Sequence, residues 1–479
     1  MWDKPHEECG VFGIYDRGVL DVAREAYVAL FALQHRGQES CGIAVNDCGI
    51  IMAHKDLGLV PEVFSDSVLN SLGQGKMAVG HVRYSTTGSN CRENAQPLVM
   101  NYVKGSLALA HNGNLVNAYD LRRELAQTGA IFQSTSDTEV MAYIIARQRL
   151  REPSIERALS EAMKSLKGAY SIVMMSPQKL IAARDPSGFR PLCMGRIGDS
   201  IVFASESCAL DAIGASFVRD VEPGEIVVVD KHGEHSLREH CGAKSSMCIF
   251  EYIYFARPDS VIDGVSVYEA RRKSGVCLAK EYPVEADLVV GVPDSGLDAA
   301  LGYAQESGIP YGIGFIKNKY VGRTFIQPTQ TMRNSTVRIK LNALSNSVRG
   351  KRIVLIDDSI VRGTTSALIV SLLRDAGARE VHMRVSAPPF TNPCYFGTDI
   401  DSRENLIACR LSIDEICKSI GADTLGYLKI DDLEKIAEGT GGGFCKGCFN
   451  GNYPVEVPEE IPKNRFEYKL RDCDKSVGG

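Results

Sequence analysis

The stretch RIVLIDDSIVRGTTS, residues 352–366, constrains this chain more than any other. Its apolar run 353–356 reads as a buried strand. Two carboxylates follow, Asp357 and Asp358, then Gly363 and the hydroxyls of Ser359, Thr364, Thr365 and Ser366. ALIVSLLRDAGA continues as an amphipathic helix. A loop of this kind turns backbone N–H groups and a helix N-terminus toward a phosphate. The adjacent carboxylates then face ribose hydroxyls or a metal ion. An acidic pair alone would be an ordinary strand-to-helix turn with solvated acids. Together with the hydroxyl-rich loop it predicts a sugar-phosphate site. The order differs from a Walker A loop, because no Gly-Lys-Ser/Thr is present.

That run resembles the 5-phosphoribosyl 1-pyrophosphate (PRPP) signature of type I phosphoribosyltransferases. Upstream, no acidic residue occurs between Glu306 and Asp357. The same interval carries Lys317, Lys319, Arg323, Arg333, Arg338, Lys340, Arg349, Lys351 and Arg352. The whole chain has formal net charge −5, which argues against nucleic acid and for a compact polyanion. Residues 317–333, with Gly322 and Pro328 and weak periodicity, read as a mobile basic lid over a pyrophosphate. GVPDSGLDAA, 291–300, follows another apolar run and predicts a second anion-binding turn through Asp294, Ser295 and Gly296. Both turns fall at the carboxyl ends of strands, where open α/β sheets bind ligands.

The first half carries different chemistry. Cys9 sits in EECGVFGIY behind a short polar leader, MWDKPHEE, which lacks the apolar core of a secretory signal. Removing that leader, residues 1–8, would give Cys9 a free α-amine beside its own thiol, a base for a nucleophile. A lone cysteine on an apolar strand is otherwise a packing residue. Four further segments bear on this. GHVRYSTTG offers Arg83 for a bidentate grip on a carboxylate. HNGN offers the Asn112 amide and the Gly113 N–H as oxyanion donors. STSDTEV offers Asp137 as a counter-charge for an α-amino group, and LQHRGQES ends a helix at Gly37. A substrate with a carboxylate, an amino group and a hydrolysable amide is glutamine.

In this order the segments resemble the glutamine domain of N-terminal-nucleophile amidotransferases. A glutaminase domain followed by a PRPP domain resembles the glutamine phosphoribosylpyrophosphate amidotransferase family, over roughly residues 9–455. DPSGFRPL (185–192), SESCAL (205–210), EYIYFARPDS (251–260) and GVPDSG also match that family. The strands GEIVVVD and SIVMMS with helices between them fit a layered α/β sandwich; the second half alternates strand and helix. The resemblance implies a four-layer αββα sandwich over 9–245, then a type I phosphoribosyltransferase domain with a mostly parallel sheet over 246–440. Residues 441–479 form a C-terminal segment and tail.

The resemblance also implies roles. Cys9 is the nucleophile, with Asn112 and Gly113 as oxyanion donors and Arg83 and Asp137 holding glutamine. PRPP is held by Asp357, Asp358, Arg362, Gly363, Thr364, Thr365, Lys317 and Lys319, and Mg²⁺ by Ser295, Asp357 and Asp358. Ammonia released at Cys9 travels through a sealed channel and displaces pyrophosphate from PRPP to give 5-phosphoribosylamine, the first committed step of purine synthesis. Purine nucleotides are the implied feedback inhibitors and a homotetramer the implied assembly. An amidotransferase acting on a sugar phosphate or aspartate would not need the PRPP loop. A PRPP-sensing regulator would not need the Cys9 set.

Fifteen cysteines, an odd number without a targeting segment, point to a reducing cytosol rather than a disulfide framework. No apolar run approaches the ~20 residues of a membrane span. Cys445 and Cys448 form a C-x-x-C among glycines, and Cys248 and Cys394 stand apart from the catalytic motifs. By ligand type four thiolates suit zinc or an iron–sulfur cluster equally. One branch of the resembled family carries a structural 4Fe–4S cluster at these places, which selects the cluster.

Overall fold

The computed structural model describes residues 9–84, 90–318, 320, 340–400 and 402–458. The expected leader 1–8, Lys319, nearly all of the lid 317–333 and the tail after 458 lie outside the described residues.

The first half is two antiparallel sheets face to face. One has seven strands, with Gly10–Tyr15 at its centre between Ser200–Ala204 and Met77–Arg83. The other has six, with Gly105–Leu115 paired to Gly168–Met175. Period-2 alternation sorts each strand between layers. Phe12 and Ile14 face the helix Val22–Ala32, whereas Val11 turns inward to meet Ala108, Val173 and Ala182 of the second sheet. At Gly13 the sheets approach so closely that a Cβ would lie 2.4 Å from Val173 Cγ1. Helices Ala118–Gln127, Asp137–Arg149 and Ile155–Met163 cover the outer face of the six-stranded sheet. The result is the expected αββα order.

The second half holds a four-stranded, all-parallel sheet in chain order: Leu288–Gly291, Arg352–Asp357, Glu380–Val385 and Thr424–Tyr427. Strand Arg352–Asp357 is buried on both faces. Val354 and Ile356 pack toward helices Val267–Glu281 and Leu297–Ser307, and Ile353 and Leu355 toward Thr364–Asp375 and Ile413–Ile420. That explains its unbroken apolar run. A small hairpin, Phe315–Lys317 with Leu341–Ala343, stands apart from this sheet. Between the two halves, strand Ser246–Cys248 donates from Ser246 N to Ser187 O at 2.7 Å and from Cys248 N to Phe189 O at 3.1 Å. It also pairs in parallel with Gly443–Cys445, placing Cys248 opposite Cys445. Among the described residues no helix is long and apolar enough to cross a membrane.

Candidate active sites

Cys9 immediately precedes the central strand Gly10–Tyr15. Antiparallel pairing places Gly10 beside Val82, which brings Arg83 at the end of its strand next to Cys9. The Cys9 Sγ donates to the Tyr84 carbonyl at 3.4 Å and is 6% exposed. Burial pushes its thiol up to about 11, against the opposing pull of Arg83 and the Tyr84 contact. Asp137 adds to that rise, so Arg83 and Asp137 both act on the sulfur electrostatically.

Asn112 lies on the second sheet, on the inward-facing register of Ala108 and Ala110. Its side chain is fully buried, and neither Oδ1 nor Nδ2 has a hydrogen-bond partner. Leaving such an amide unsatisfied costs about 1–3 kcal/mol, a cost that a ligand oxygen accepting from Nδ2 would remove in part. Gly113 follows at φ +139°, where a Cβ would lie 2.1 Å from Ala169 O. Only glycine fits. Asp137 opens helix Asp137–Arg149, capped by Ser136, and accepts from Leu115 N at 3.0 Å. Burial would push its carboxyl up. His111, the Leu115 N–H and Arg83 together hold it below its ordinary value, so it is an anion.

Sequence reading passed over two supports of this site. His81 Nε2 lies 3.0 Å from the His111 carbonyl, joining the two sheets directly behind the oxyanion strand. Burial holds the His81 imidazole down to about 3, so it is neutral and donates through Nε2. Arg36, fully buried, donates from Nε to the Cys9 carbonyl at 3.1 Å and from its guanidinium to Glu206 at 2.5 Å and Glu251 at 2.8 Å. Both residues stand inside the motifs already singled out, GHVR and QHRG, and that was the available signal.

The second site lies at the carboxyl end of Arg352–Asp357. Asp357 and Asp358 are both fully buried. The Asp358 carboxylate accepts from the Ser295 and Ser359 hydroxyls, which draws the 291–300 turn onto the acidic pair. Val292 N donates to Ile356 O at 2.8 Å. Gly296 touches the same carbonyl so closely that a Cβ would sit 2.4 Å from it. Gly363 takes φ +87° and starts helix Thr364–Asp375. A Cβ there would lie 2.6 Å from Ile407 Cδ1. Arg362, Thr364 and Thr365 thus surround a helix N-terminus beside two carboxylates, a pairing suited to a phosphate next to a diol. Lys317, at the end of the hairpin strand Phe315–Lys317, is ion-paired with Asp294. The all-oxygen donor set of Ser295, Asp357 and Asp358 suits Mg²⁺.

Four cysteines come together at the junction. Cys248 and Cys445 are opposite one another, and Thr391 N and Asn392 N donate to the Cys448 carbonyl at 3.0 and 3.1 Å. Burial pushes the Cys248 thiol up to about 12, with Arg190 opposing and Cys394 and Cys445 adding to the rise. Burial, then Cys394, Cys248 and Cys445, raises Cys448 well above its ordinary value. Phe396 N donates to Cys394 Sγ at 3.4 Å. Among the described residues no three His, Cys, Asp or Glu side chains are drawn in as ligands of a single metal ion. The four thiols are neighbours, Cys445 buried and Cys248, Cys394 and Cys448 half-buried, without forming a one-ion shell. Sulfur-only donors, burial and an N–H···S contact fit a thiolate-held iron–sulfur group.

Comparison with known proteins agrees with this two-site geometry. A model of the glutamine amidotransferase domain matches residues 81–212, and one of the phosphoribosyl transferase domain matches 267–405. The chain is 52% identical over 455 residues to an amidophosphoribosyltransferase of Archaeoglobus fulgidus, covering 94% of this chain and 99% of that one. It is 49% identical over 460 residues to that of Bacillus subtilis, covering 95% and 96%. The structure of the glutamine PRPP amidotransferase from B. subtilis, complexed with ADP and GMP, superposes with a TM-score of 0.89 at 47% identity, covering 96% of this chain and all of that one. Two sites of distinct chemistry and near-full-length likeness lead to one conclusion: the chain belongs to the amidophosphoribosyltransferase family.

Proposed function

We propose that Cys9, Asn112 and Gly113 hydrolyse glutamine held by Arg83 and Asp137, and that the ammonia released attacks PRPP bound at Asp357–Asp358 and the 362–365 loop. The observation that carries this reading is the orphaned, fully buried Asn112 amide on the inward-facing register of its strand. The Cys9 sulfur bonds to the amide carbon of glutamine. The carbonyl electrons move to oxygen, where Asn112 Nδ2 and the Gly113 N–H receive the negative charge. On collapse the C–N bond breaks and nitrogen leaves with a proton as ammonia. Water then cleaves the thioester, giving glutamate and free Cys9.

In the second domain, ammonia bonds to C1 of PRPP as the C1–O bond to pyrophosphate breaks, yielding 5-phosphoribosylamine. Asp357 and Asp358 orient the ribose hydroxyls, and the amides of 363–365 with Thr364 and Thr365 hold the 5-phosphate. Lys317, with Lys319 of the basic segment, balances the departing pyrophosphate. Mg²⁺ held by Ser295, Asp357 and Asp358 would supply further positive charge there. The reaction opens purine synthesis, and purine nucleotides are the proposed feedback inhibitors of a homotetramer; the B. subtilis relative is complexed with ADP and GMP.

Asp357→Asn and Asp358→Asn test the second site. Synthesis at limiting PRPP should fall about 10²-fold with either glutamine or ammonia, since misplacing a reactant costs that order. Basal glutaminase should change little. Unchanged PRPP kinetics would remove these residues from the site.

Removal of residues 1–8 tests the first. With its thiol pushed up to about 11 by burial, Cys9 is protonated at neutral pH unless a base assists. A free α-amine on Cys9 supplies that base. Intact-mass analysis of active enzyme should show a chain starting at Cys9. Protein retaining Met1 should hydrolyse glutamine slowly, at a rate that climbs with pH. Full activity with Met1 present would contradict the amine's role.

A further inference from the structure

Gly113 has no side chain to fix the direction of its N–H. At φ +139° it takes a backbone conformation that other residues rarely adopt, held by its pairing with Tyr170 and by contacts from outside the sheet. Part of that outside is the second domain. The Asn114 side-chain amide donates to the Tyr395 carbonyl at 2.8 Å, across 281 residues of sequence. Arg190 donates to the Phe396 carbonyl at 2.6 Å, and the Phe396 ring stacks on Phe189 with centroids 4.2 Å apart. Gly397, at φ +121°, abuts Gly113 itself: a Cβ on Gly397 would lie 3.4 Å from the Gly113 carbonyl carbon and 3.0 Å from Arg190 Nη2. Three consecutive residues of the second domain are thus each held by the first domain, around the residue that follows Asn112.

We infer that Asn114 and the 395–397 segment form an interdomain clasp that sets the oxyanion geometry at Gly113, with Asn114 and Gly397 as positioning residues for glutamine hydrolysis. This rests on the reading of Gly113 as an oxyanion donor. The clasp acts on the developing oxyanion and on nothing earlier. Glutamine binding uses Arg83 and Asp137, which lie outside the clasp. Alkylation of the Cys9 sulfur by iodoacetamide displaces iodide at a saturated carbon and forms no oxyanion. A positioning role therefore separates hydrolysis from both binding and thiol reactivity, whereas a general loss of fold does not.

The test uses the full-length, processed enzyme carrying Asn114→Ala. Its kcat for glutamine hydrolysis should fall about tenfold to a hundredfold, the cost of a misplaced catalytic group. KM for glutamine, the rate of Cys9 alkylation by iodoacetamide and ammonia-dependent synthesis should stay at wild-type values. Gly397→Ala, which presses a methyl group toward Gly113, should give the same separation. Unchanged kcat in both variants would overturn the clasp, as would kcat, KM and alkylation failing together. Cys9→Ser serves as the control on the underlying reading. Wild-type glutamine hydrolysis there would remove the oxyanion site itself, while its loss beside unaffected Asn114→Ala and Gly397→Ala would remove only the clasp.

Discussion

Cys9→Ser should abolish glutamine-dependent synthesis of 5-phosphoribosylamine and leave synthesis from added ammonia intact. The sulfur is the only nucleophile among the groups assigned to glutamine, and removing such a group costs about 10⁴-fold or more. A serine hydroxyl is intrinsically harder to ionise than a thiol already pushed up to about 11 by burial. No residue of the PRPP site comes from the first sheet pair. Asp357 and Asp358 sit at the end of Arg352–Asp357, and Gly363 opens a helix of the second domain. The substitution is nearly isosteric at a position 6% exposed, so it disturbs packing little. Steady-state assays with glutamine and with ammonium chloride at alkaline pH separate the two half-reactions. Loss of both would defeat the two-site mechanism, and retained glutamine use would remove Cys9 from it.

Much of this was legible in the sequence because the chemistry sits in contiguous strings. Asn112 and Gly113 lie on one strand, Asp137 at a capped helix start, and Asp357 at the end of an apolar run; each string carries its own local signal. The parallel sheet followed from the alternation of strand and helix and from a strand buried on both faces. The hairpin Phe315–Lys317 with Leu341–Ala343 gave no such signal, because its strands are three residues each, too short to show a period. His81 and Arg36 were invisible as supports for another reason. Their partners, the His111 and Cys9 carbonyls, are backbone atoms 30 and 27 residues away, and a backbone acceptor leaves no mark on the sequence. The same holds for Asn114, whose partner is a carbonyl 281 residues distant. Gly397 lies in an aperiodic segment, where its role depends on which domain packs against it.

The four-thiol site carries the last prediction. Protein purified without oxygen should be brown and contain about four irons and four sulfides per chain, held by Cys248, Cys394, Cys445 and Cys448. Cys248 and Cys445 are each pushed up to about 12, chiefly by desolvation, and Cys448 rises as well. Gathering such thiols raises the cost of every thiolate, and Arg190 offsets only part of it. A bound iron–sulfur group reverses that sign, since the metal deprotonates its ligands outright. The segments joined also share a packed core, where Phe449 stacks on Phe390. A three-residue parallel pair links Ser246–Cys248 to Gly443–Cys445, and the short helix Gly447–Asn450 carries Cys448. A four-thiolate group bound there would tie the C-terminal segment to the junction between domains and fix the start of the 395–397 segment at Cys394. Cys445→Ser should therefore lose iron and unfold at a lower temperature, by calorimetry or circular dichroism. Air should bleach the wild-type protein and lower its melting temperature in parallel. Colourless protein with one stoichiometric zinc after anaerobic purification would replace iron with zinc, which a four-cysteine site accepts. A Cys445→Ser protein that melts like the wild type and stays fully active would remove the metal site altogether.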